Sequence, residues 1–144
     1  MPETGGAEKI RARFRIVSRM TDPQGETSEI KSARRGTLTQ TGARVQIEYD
    51  DERDGEKARI ALDTDGKSAV MRRRGMTSAE LRFEPGRKTN SAYVTLYGEI
   101  PVAVYTRSVN LEAAADGGTL RLDYDVFAGG EKTASTRLEL TWRA

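Results

Sequence analysis

The sequence contains neither cysteine nor histidine, and these two absences exclude most common catalytic and metal-binding chemistry. Without cysteine there are no disulfides, thiolate nucleophiles or iron–sulfur clusters, and without histidine there is no Ser-His-Asp triad. A zinc site of the usual Cys/His kind is excluded as well. A serine nucleophile would need lysine as its base, and a bound metal would need carboxylate side chains. The remaining residues show no catalytic constellation, so we expect a protein that is not an enzyme and uses no cofactor.

Long apolar runs are also missing. No stretch approaches the ~20 apolar residues that span a bilayer, and the N-terminal segment lacks the apolar centre of a signal peptide. Together with the lack of cysteine, this leads us to expect a cytoplasmic protein with no membrane partner. The chain has 144 residues, the usual size of one domain. We expect a disordered tail over residues 1–7 and a single folded domain over residues 8–144.

Apolar and polar residues alternate along most of the chain, which is the period of a half-buried strand. Glycine-containing turn signals separate the runs and supply the positive φ of hairpin turns. About nine strands joined by hairpins form one antiparallel sheet that closes into a barrel or folds into a sandwich. Closure is favoured because it leaves no unpaired edge. We therefore predict an all-β antiparallel barrel of eight to ten strands with almost no helix.

One long stretch, residues 91–111, departs from this alternation because apolar groups occupy both of its faces. Gly98 lies where a strand that curves round a small barrel would bend or bulge. Such a bulge shifts the phase by one residue, so that Tyr93, Thr95 and Tyr97 would point inward. The apolar residues that follow Gly98 would then lie on the same side.

The segment Tyr93-Val94-Thr95-Leu96-Tyr97-Gly98-Glu99-Ile100-Pro101-Val102, followed by Thr106, resembles the central signature of the YwiB-like family. These are small bacterial proteins of unknown function with a calycin-like, lipocalin-type β-barrel. Other matching segments follow in order and cover roughly residues 14–142: Gly36, Tyr49-Asp50-Asp51-Glu52, Met71-Arg72 with Gly75, Leu81 and Phe83 with Gly86, and Leu122 with Tyr124. The resemblance implies a calycin-like barrel and an inward phase for Tyr93 and Tyr97. It gives no information about an activity, a ligand or a catalytic residue, because the function of the family is unknown.

A barrel of this size has an interior that side chains fill or that holds one small ligand. Polar and aromatic residues that could line its mouth or interior are Tyr49, Tyr93, Tyr97, Thr64, Thr95, Thr106, Arg72 and Glu48. One interpretation is a non-enzymatic binding protein whose pocket holds a small amphipathic or anionic ligand, with Arg72 on the anion. The other is a filled core in which the hydroxyls bond to one another or to the backbone, as in a structural or interaction protein.

A basic stripe on the first strand suggests nucleic acid as a less favoured alternative partner. Its cations recur about every 6.7 Å on one face and could follow a phosphate backbone. No aromatic residue interleaves for base stacking, and acidic residues such as Glu26 or Glu29 on a neighbouring strand are expected to pair with the stripe. The stripe consists of Lys9, Arg11, Arg13, Arg15 and Arg19.

Two denser charge clusters are interpreted as solvated surface. In the run Arg72-Arg73-Arg74, strand alternation places Arg72 and Arg74 on one face and Arg73 on the other. The three cations do not form one patch, which favours a solvated strand end over a phosphate site. The acidic cluster lacks the ordered spacing of an EF-hand loop, which favours a hairpin turn over a metal site. It consists of Asp50, Asp51, Glu52, Asp54 and Glu56.

The sequence leaves open whether the protein is a monomer or a homodimer.

Overall fold

The computed structural model describes residues 8–53 and 55–143, which form ten antiparallel strands. In chain order these are β1 (Glu8–Thr21), β2 (Thr27–Thr41), β3 (Arg44–Arg53), β4 (Glu56–Thr64), β5 (Ala69–Gly75), β6 (Ser78–Phe83), β7 (Lys88–Thr95), β8 (Gly98–Ala114), β9 (Gly117–Ala128) and β10 (Glu131–Arg143). Each strand pairs with the next, and β1 pairs with β10, so the sheet closes into a barrel. The predicted all-β antiparallel barrel is confirmed. The predicted tail, residues 1–7, lies outside the described residues.

The alternation seen in the sequence divides each strand into an inner and an outer face. At the end of the barrel that carries the β2–β3, β4–β5, β6–β7 and β8–β9 turns, the interior is filled with apolar side chains. They include Leu38, Val45, Leu62, Phe83, Leu120, Leu140 and Trp142, each at most 3% exposed. Burying one such side chain stabilises the fold by about 1.5–3 kcal/mol. No helix in the described ranges is long and apolar enough to cross a membrane.

Glycine makes room for the largest side chain at this filled end. A Cβ built on Gly118 would overlap the indole ring of Trp142 and would lie 2.7 Å from the carbonyl oxygen of Glu112. Gly118 pairs with Trp142 on the neighbouring strand β10. The ring therefore packs over a residue that has no side chain, and this end of the barrel closes tightly.

The predicted single strand over residues 91–111 is wrong. The segment is two strands, β7 and β8, joined by the turn Leu96-Tyr97. Gly98 has φ +120° and ends this turn, so it does not mark a bulge within a strand. The Thr95 hydroxyl donates to the carbonyl oxygen of Gly98 at 3.0 Å and accepts from the Tyr97 amide at 3.1 Å. A two-residue hairpin shifts the inward phase from odd to even positions, so that Tyr93 pairs with Ile100. A bulge at Gly98 would give the same one-residue shift, which is why the sequence pattern concealed the reversal.

The wall of the barrel separates between β2 and β3 at the end opposite the filled one. Among the described residues, the two strands pair only from Gly36, opposite Tyr49, to Thr41, opposite Arg44. Beyond Gly36, residues 27–35 of β2 pair only with β1, and residues 50–53 of β3 pair only with β4. We call this region the open end of the barrel, and the polar interior side chains lie there.

Candidate functional site

One row of side chains runs across the inner wall toward the open end. In the strand register Tyr49 lies beside Ile60, Ile60 beside Arg73, Arg73 beside Ala79, and Ala79 beside Tyr93. Directly opposed residues share one face of a sheet, so Arg73 points inward with its buried neighbours. Adjacent strands lie about 4.8 Å apart, which places the backbones of Arg73 and Tyr93 about 10 Å apart. The short side chain of Ala79 lies between them in this row, so a guanidinium and a phenol stand on either side of one methyl group.

Two guanidinium groups share one carboxylate beside this row. Arg34 Nη2 lies 2.9 Å from Asp51 Oδ1, and Arg73 Nη1 lies 3.7 Å from Asp51 Oδ2. The side chain of Asp51 is 10% exposed and those of both arginines are 27% exposed. Arg34 also donates to the carbonyl oxygens of Ala33 at 2.9 Å and Glu52 at 3.4 Å. One carboxylate balances only one of the two cations, so this cluster carries a net positive charge.

The two cations differ in their hydrogen bonding. Arg34 is held by Asp51 and by two backbone carbonyls, so most of its donors are occupied. The Arg73 guanidinium has its ion pair at 3.7 Å but makes no side-chain hydrogen bond to any residue that the structure describes. A guanidinium carries five N–H donors in a fixed planar arrangement. Of the two guanidinium groups, that of Arg73 therefore has more donors available to a ligand.

A second inner row carries hydroxyl groups. Thr106 lies beside Tyr124, and Tyr124 lies beside Thr136, within hydrogen-bonding reach of it. Burial raises the pKa of Tyr124 strongly, and burial also raises the pKa of Tyr93, against the lowering effect of the nearby Arg73. Both phenols therefore remain protonated donors at neutral pH. The fully buried Thr106 hydroxyl has no hydrogen-bond partner within residues 8–53 and 55–143.

A surface pocket of about 830 Å³ lies at the open end, where β2 and β3 separate. Its volume is within the 300–1,000 Å³ that is usual for small-molecule sites. The wall of the pocket includes the Arg34–Asp51 ion pair, so the pocket reaches the charged cluster. The lining residues are Arg34, Asp50, Asp51, Glu52, Lys57, Ala58, Arg59 and Arg74.

Large apolar side chains of the inner face are partly exposed at the same end. Met20 is 39% exposed, Ile30 is 38% exposed and Ile100 is 50% exposed. Ile100 pairs with Tyr93 in the β7–β8 register, so apolar surface directly adjoins the Tyr93 phenol. The open end thus combines a guanidinium with donors available, the Tyr93 phenol and partly exposed apolar groups.

The structure agrees with part of the predicted binding set. Tyr49, Tyr93 and Thr106 face the interior as predicted. Arg72 does not, because Arg73 takes the inward position: Arg72 lies on the outer wall with its Nε 2.6 Å from Glu80 Oε1. The sequence could not distinguish the two, since both Val70 and Met71 are apolar and leave the phase of β5 undetermined.

Four other predicted lining residues lie elsewhere. Tyr97 is in the β7–β8 turn and is 99% exposed, so its predicted inward position is wrong, and Thr95 is used to stabilise that turn. Thr64 is buried at the filled end, where its hydroxyl donates to the carbonyl oxygen of Ser68 at 2.7 Å. Glu48 is on the outer wall, 3.1 Å from Arg59.

The basic stripe of β1 lies on the outer wall, and only its middle has no acidic partner among the residues that the structure describes. Lys9 Nζ lies 4.0 Å from a carboxylate oxygen of Glu48, and Arg19 lies 2.9 Å from Glu29. The expected pairing with Glu29 is therefore present at Arg19, whereas the other stripe residues face neutral or basic neighbours on β2. These residues are Arg11, opposite Thr37, Arg13, opposite Arg35, and Arg15, opposite Ala33.

The acidic cluster near the β3–β4 turn is split between the two faces of the sheet. Asp50 points outward and lies 3.0 Å from Arg59, whereas Asp51 points inward. Asp54 lies outside the described residues. In the part of the chain that the structure describes, no three acidic side chains are grouped closely enough to hold a metal ion.

Comparisons with known proteins place the chain in a family. It is 22% identical over 99 residues to the uncharacterized β-barrel protein YwiB of Bacillus subtilis (strain 168), which covers 69% of this chain and 70% of that protein. It is also similar to the crystal structure of the ywiB protein from Bacillus subtilis, with a TM-score of 0.86 and 18% identity over 96% of this chain and 95% of that one. These similarities confirm the YwiB-like resemblance and the barrel fold, while the calycin-like, lipocalin-type classification stays a prediction. Residues 15–140 match the family model described as a domain of unknown function, DUF1934, and the chain belongs to that family.

Proposed function

We propose that the protein is a non-enzymatic binding protein that holds a small amphipathic anion at the open end of its barrel. The observation that carries this proposal is Arg73, a guanidinium on the inner wall that shares a single carboxylate with Arg34. A charge at low exposure is stable when it is paired and hydrogen-bonded. Arg73 has a long ion pair and, among the described residues, no side-chain hydrogen bond, so an anionic ligand would complete its coordination.

The neighbours of Arg73 support the chemistry of such a ligand. A carboxylate or phosphate group in the space over Ala79 would accept hydrogen bonds from the guanidinium and from the Tyr93 hydroxyl. The partly exposed Ile30 and Ile100 would cover an apolar body attached to that head group.

The same geometry supports binding without a chemical reaction. The inner wall holds phenols that stay protonated and arginines, and neither is a general base at neutral pH. The carboxylate at this end, Asp51, is occupied by an ion pair with Arg34. The proposal also includes a cytoplasmic location, supported by a composition without cysteine.

Native mass spectrometry of the protein purified from its host without denaturation tests the proposal. The adjacent arginines of β5 provide a matched pair of variants: Arg73→Gln removes the inner guanidinium, and Arg72→Gln removes an outer one with the same change in charge. We expect the wild type and the Arg72→Gln variant to carry a bound small molecule, and the Arg73→Gln variant to lose at least 90% of it.

The opposite results would overturn the proposal. If the wild-type mass equals that of the bare chain under conditions that preserve noncovalent adducts, and sodium decanoate and phenyl phosphate do not raise its melting temperature, the protein has a structural role. Equal loss of adduct from the Arg72→Gln and Arg73→Gln variants would place the ligand outside the barrel.

A further inference from the structure

The arginines of the outer wall fall into two groups. Most face a carboxylate on a neighbouring strand: Arg44 lies 2.5 Å from Asp63, Arg121 lies 2.7 Å from Glu139, and Arg72 lies 2.6 Å from Glu80. The others have no acidic partner anywhere in the described ranges: Arg74 stands alone on β5, and five lie together on β1, β2 and β10, which we call the arginine patch. The patch consists of Arg11, Arg13, Arg15, Arg35 and Arg143.

The barrel register assembles this patch from three distant parts of the sequence. Arg13 is directly opposite Arg35 on β2 and directly opposite Arg143 on β10, so three arginines lie in one row. Arg11 and Arg15 lie on either side of Arg13 along β1, each about 6.7 Å away. The two distances, about 4.8 Å across the strands and 6.7 Å along them, make a regular array of cations.

The residues between the arginines are small or neutral. Thr37 is opposite Arg11, and Ala33 and Thr141 are opposite Arg15. A shallow groove crosses the patch over Gly36, lined by Arg11, Arg13, Arg35 and Arg143. Like charges directly opposite each other destabilise a sheet. The array therefore lowers the stability of the free protein, and a bound polyanion would reverse that effect.

We propose that the arginine patch binds the phosphodiester backbone of a nucleic acid strand. Evenly spaced phosphates match evenly spaced guanidinium groups, and each guanidinium can donate two hydrogen bonds to one phosphate. The large hydrophobic residues that are exposed elsewhere on the described surface are absent from the patch, so it lacks the apolar or aromatic anchors of a protein interface. It also lacks aromatic groups for base stacking, so recognition is independent of sequence.

Fluorescence anisotropy with a labelled 20-nucleotide oligouridylate, titrated with the full chain at 50 to 200 mM salt, tests the proposal. For a single strand, each neutralised phosphate contributes about −0.7 to the slope of log K against log salt concentration. Five contacts therefore predict a slope of about −3.5. Affinity should fall about 100-fold over this fourfold change in salt. The Arg13→Gln/Arg35→Gln/Arg143→Gln variant should show a slope of about −1.4. Single- and double-stranded DNA of equal length show which nucleic acid the patch prefers.

A matched variant separates the patch from the general charge of the protein. Arg44→Gln/Arg72→Gln/Arg121→Gln removes the same three charges from paired positions on the outer wall, and we expect its affinity and slope to equal those of the wild type. The patch variant should also melt at a temperature equal to or higher than the wild type, because its like-charge contacts are removed, so weak binding would not reflect unfolding. No salt-dependent binding at 50 mM salt, equal loss in both triple variants, or binding of polyglutamate in place of the oligonucleotides would each overturn the proposal.

Discussion

Arg34 and Asp51 face each other across the separation of β2 and β3, with Arg34 Nη2 2.9 Å from Asp51 Oδ1. No backbone pairing joins the two strands at this level in the described structure. The ion pair, together with the hydrogen bond from Arg34 to the carbonyl oxygen of Glu52, links the two strands there. It also brings Asp51 within reach of Arg73, so one carboxylate both connects the wall and faces the proposed ligand site.

Asp51→Asn should lower the free energy of unfolding by about 2–3 kcal/mol, because it leaves two guanidinium groups close together at low exposure without a negative charge. Asp50→Asn is the matched control, since the Asp50 side chain is 81% exposed on the outer wall, and its effect should lie within about 0.5 kcal/mol of zero. Urea denaturation at pH 7 measures both. Equal effects of the two substitutions would show that the inner ion pair does not hold the open end together.

Thr106→Val should raise the free energy of unfolding by about 1 kcal/mol, because the fully buried Thr106 hydroxyl has no hydrogen-bond partner in the described structure. Thr136→Val provides the contrast, since it removes a hydroxyl within hydrogen-bonding reach of Tyr124 and should lower the free energy of unfolding by about 1 kcal/mol. Chemical denaturation of the ligand-free protein measures both values. A loss of stability in Thr106→Val would contradict the prediction, because it would show that the hydroxyl makes a stabilising hydrogen bond in the free protein.

Asp125 should make the stability of the fold depend on pH on the acid side. Burial raises the pKa of Asp125, but hydrogen bonds from Arg107 at 2.6 Å and Ser135 at 2.7 Å outweigh it and hold the pKa below its ordinary value. A carboxyl whose folded pKa is lowered stabilises the fold above its unfolded value of about 3.9, and that stability is lost as the pH falls through the folded pKa.

Asp125→Asn should therefore lower the free energy of unfolding at pH 7 by about 1 kcal/mol and flatten its decline below pH 4. Urea denaturation at a series of pH values from 7 to 2 measures the decline. Asp116→Asn, at an exposed turn, controls for the removal of one carboxylate. An acid decline in Asp125→Asn as steep as that of the wild type would contradict the prediction.

The barrel was predictable from the sequence because the signals that specify it are local. Alternation defines which side of each strand is buried, and glycines with positive φ, such as Gly42 and Gly129, mark hairpin turns. The turn Leu96-Tyr97 carries neither glycine nor asparagine, so no turn signal marks it, and the adjacent Gly98 has the pattern of a bulge. The phase of β8 instead shifts between Thr106 and Ser108, where the register with β9 changes.

The sites were less predictable because they depend on contacts between distant strands. The inward position of Arg73 follows from its register with Ile60, and the two adjacent arginines of β5 are chemically identical in the sequence. Arg35 and Arg143 join Arg13 only when β1 pairs with both β2 and β10. Alternation in the sequence shows that Arg11, Arg13 and Arg15 share one face. The strand register, which places Glu29 opposite Arg19 and away from these three, cannot be derived from the sequence.

The most direct test of the anion site is an NMR titration that observes the arginine Nε–Hε groups. Sodium decanoate, an amphipathic monoanion, is added to the isotopically labelled wild-type protein, with the resonances assigned from the Arg72→Gln and Arg73→Gln variants. Because Arg73 faces the open end of the barrel and Arg72 is paired with Glu80 outside it, the Arg73 resonance should shift in a saturable way while the Arg72 resonance stays unchanged. An unmoved Arg73 resonance at saturating decanoate, or equal shifts of both arginines, would contradict the inner binding site.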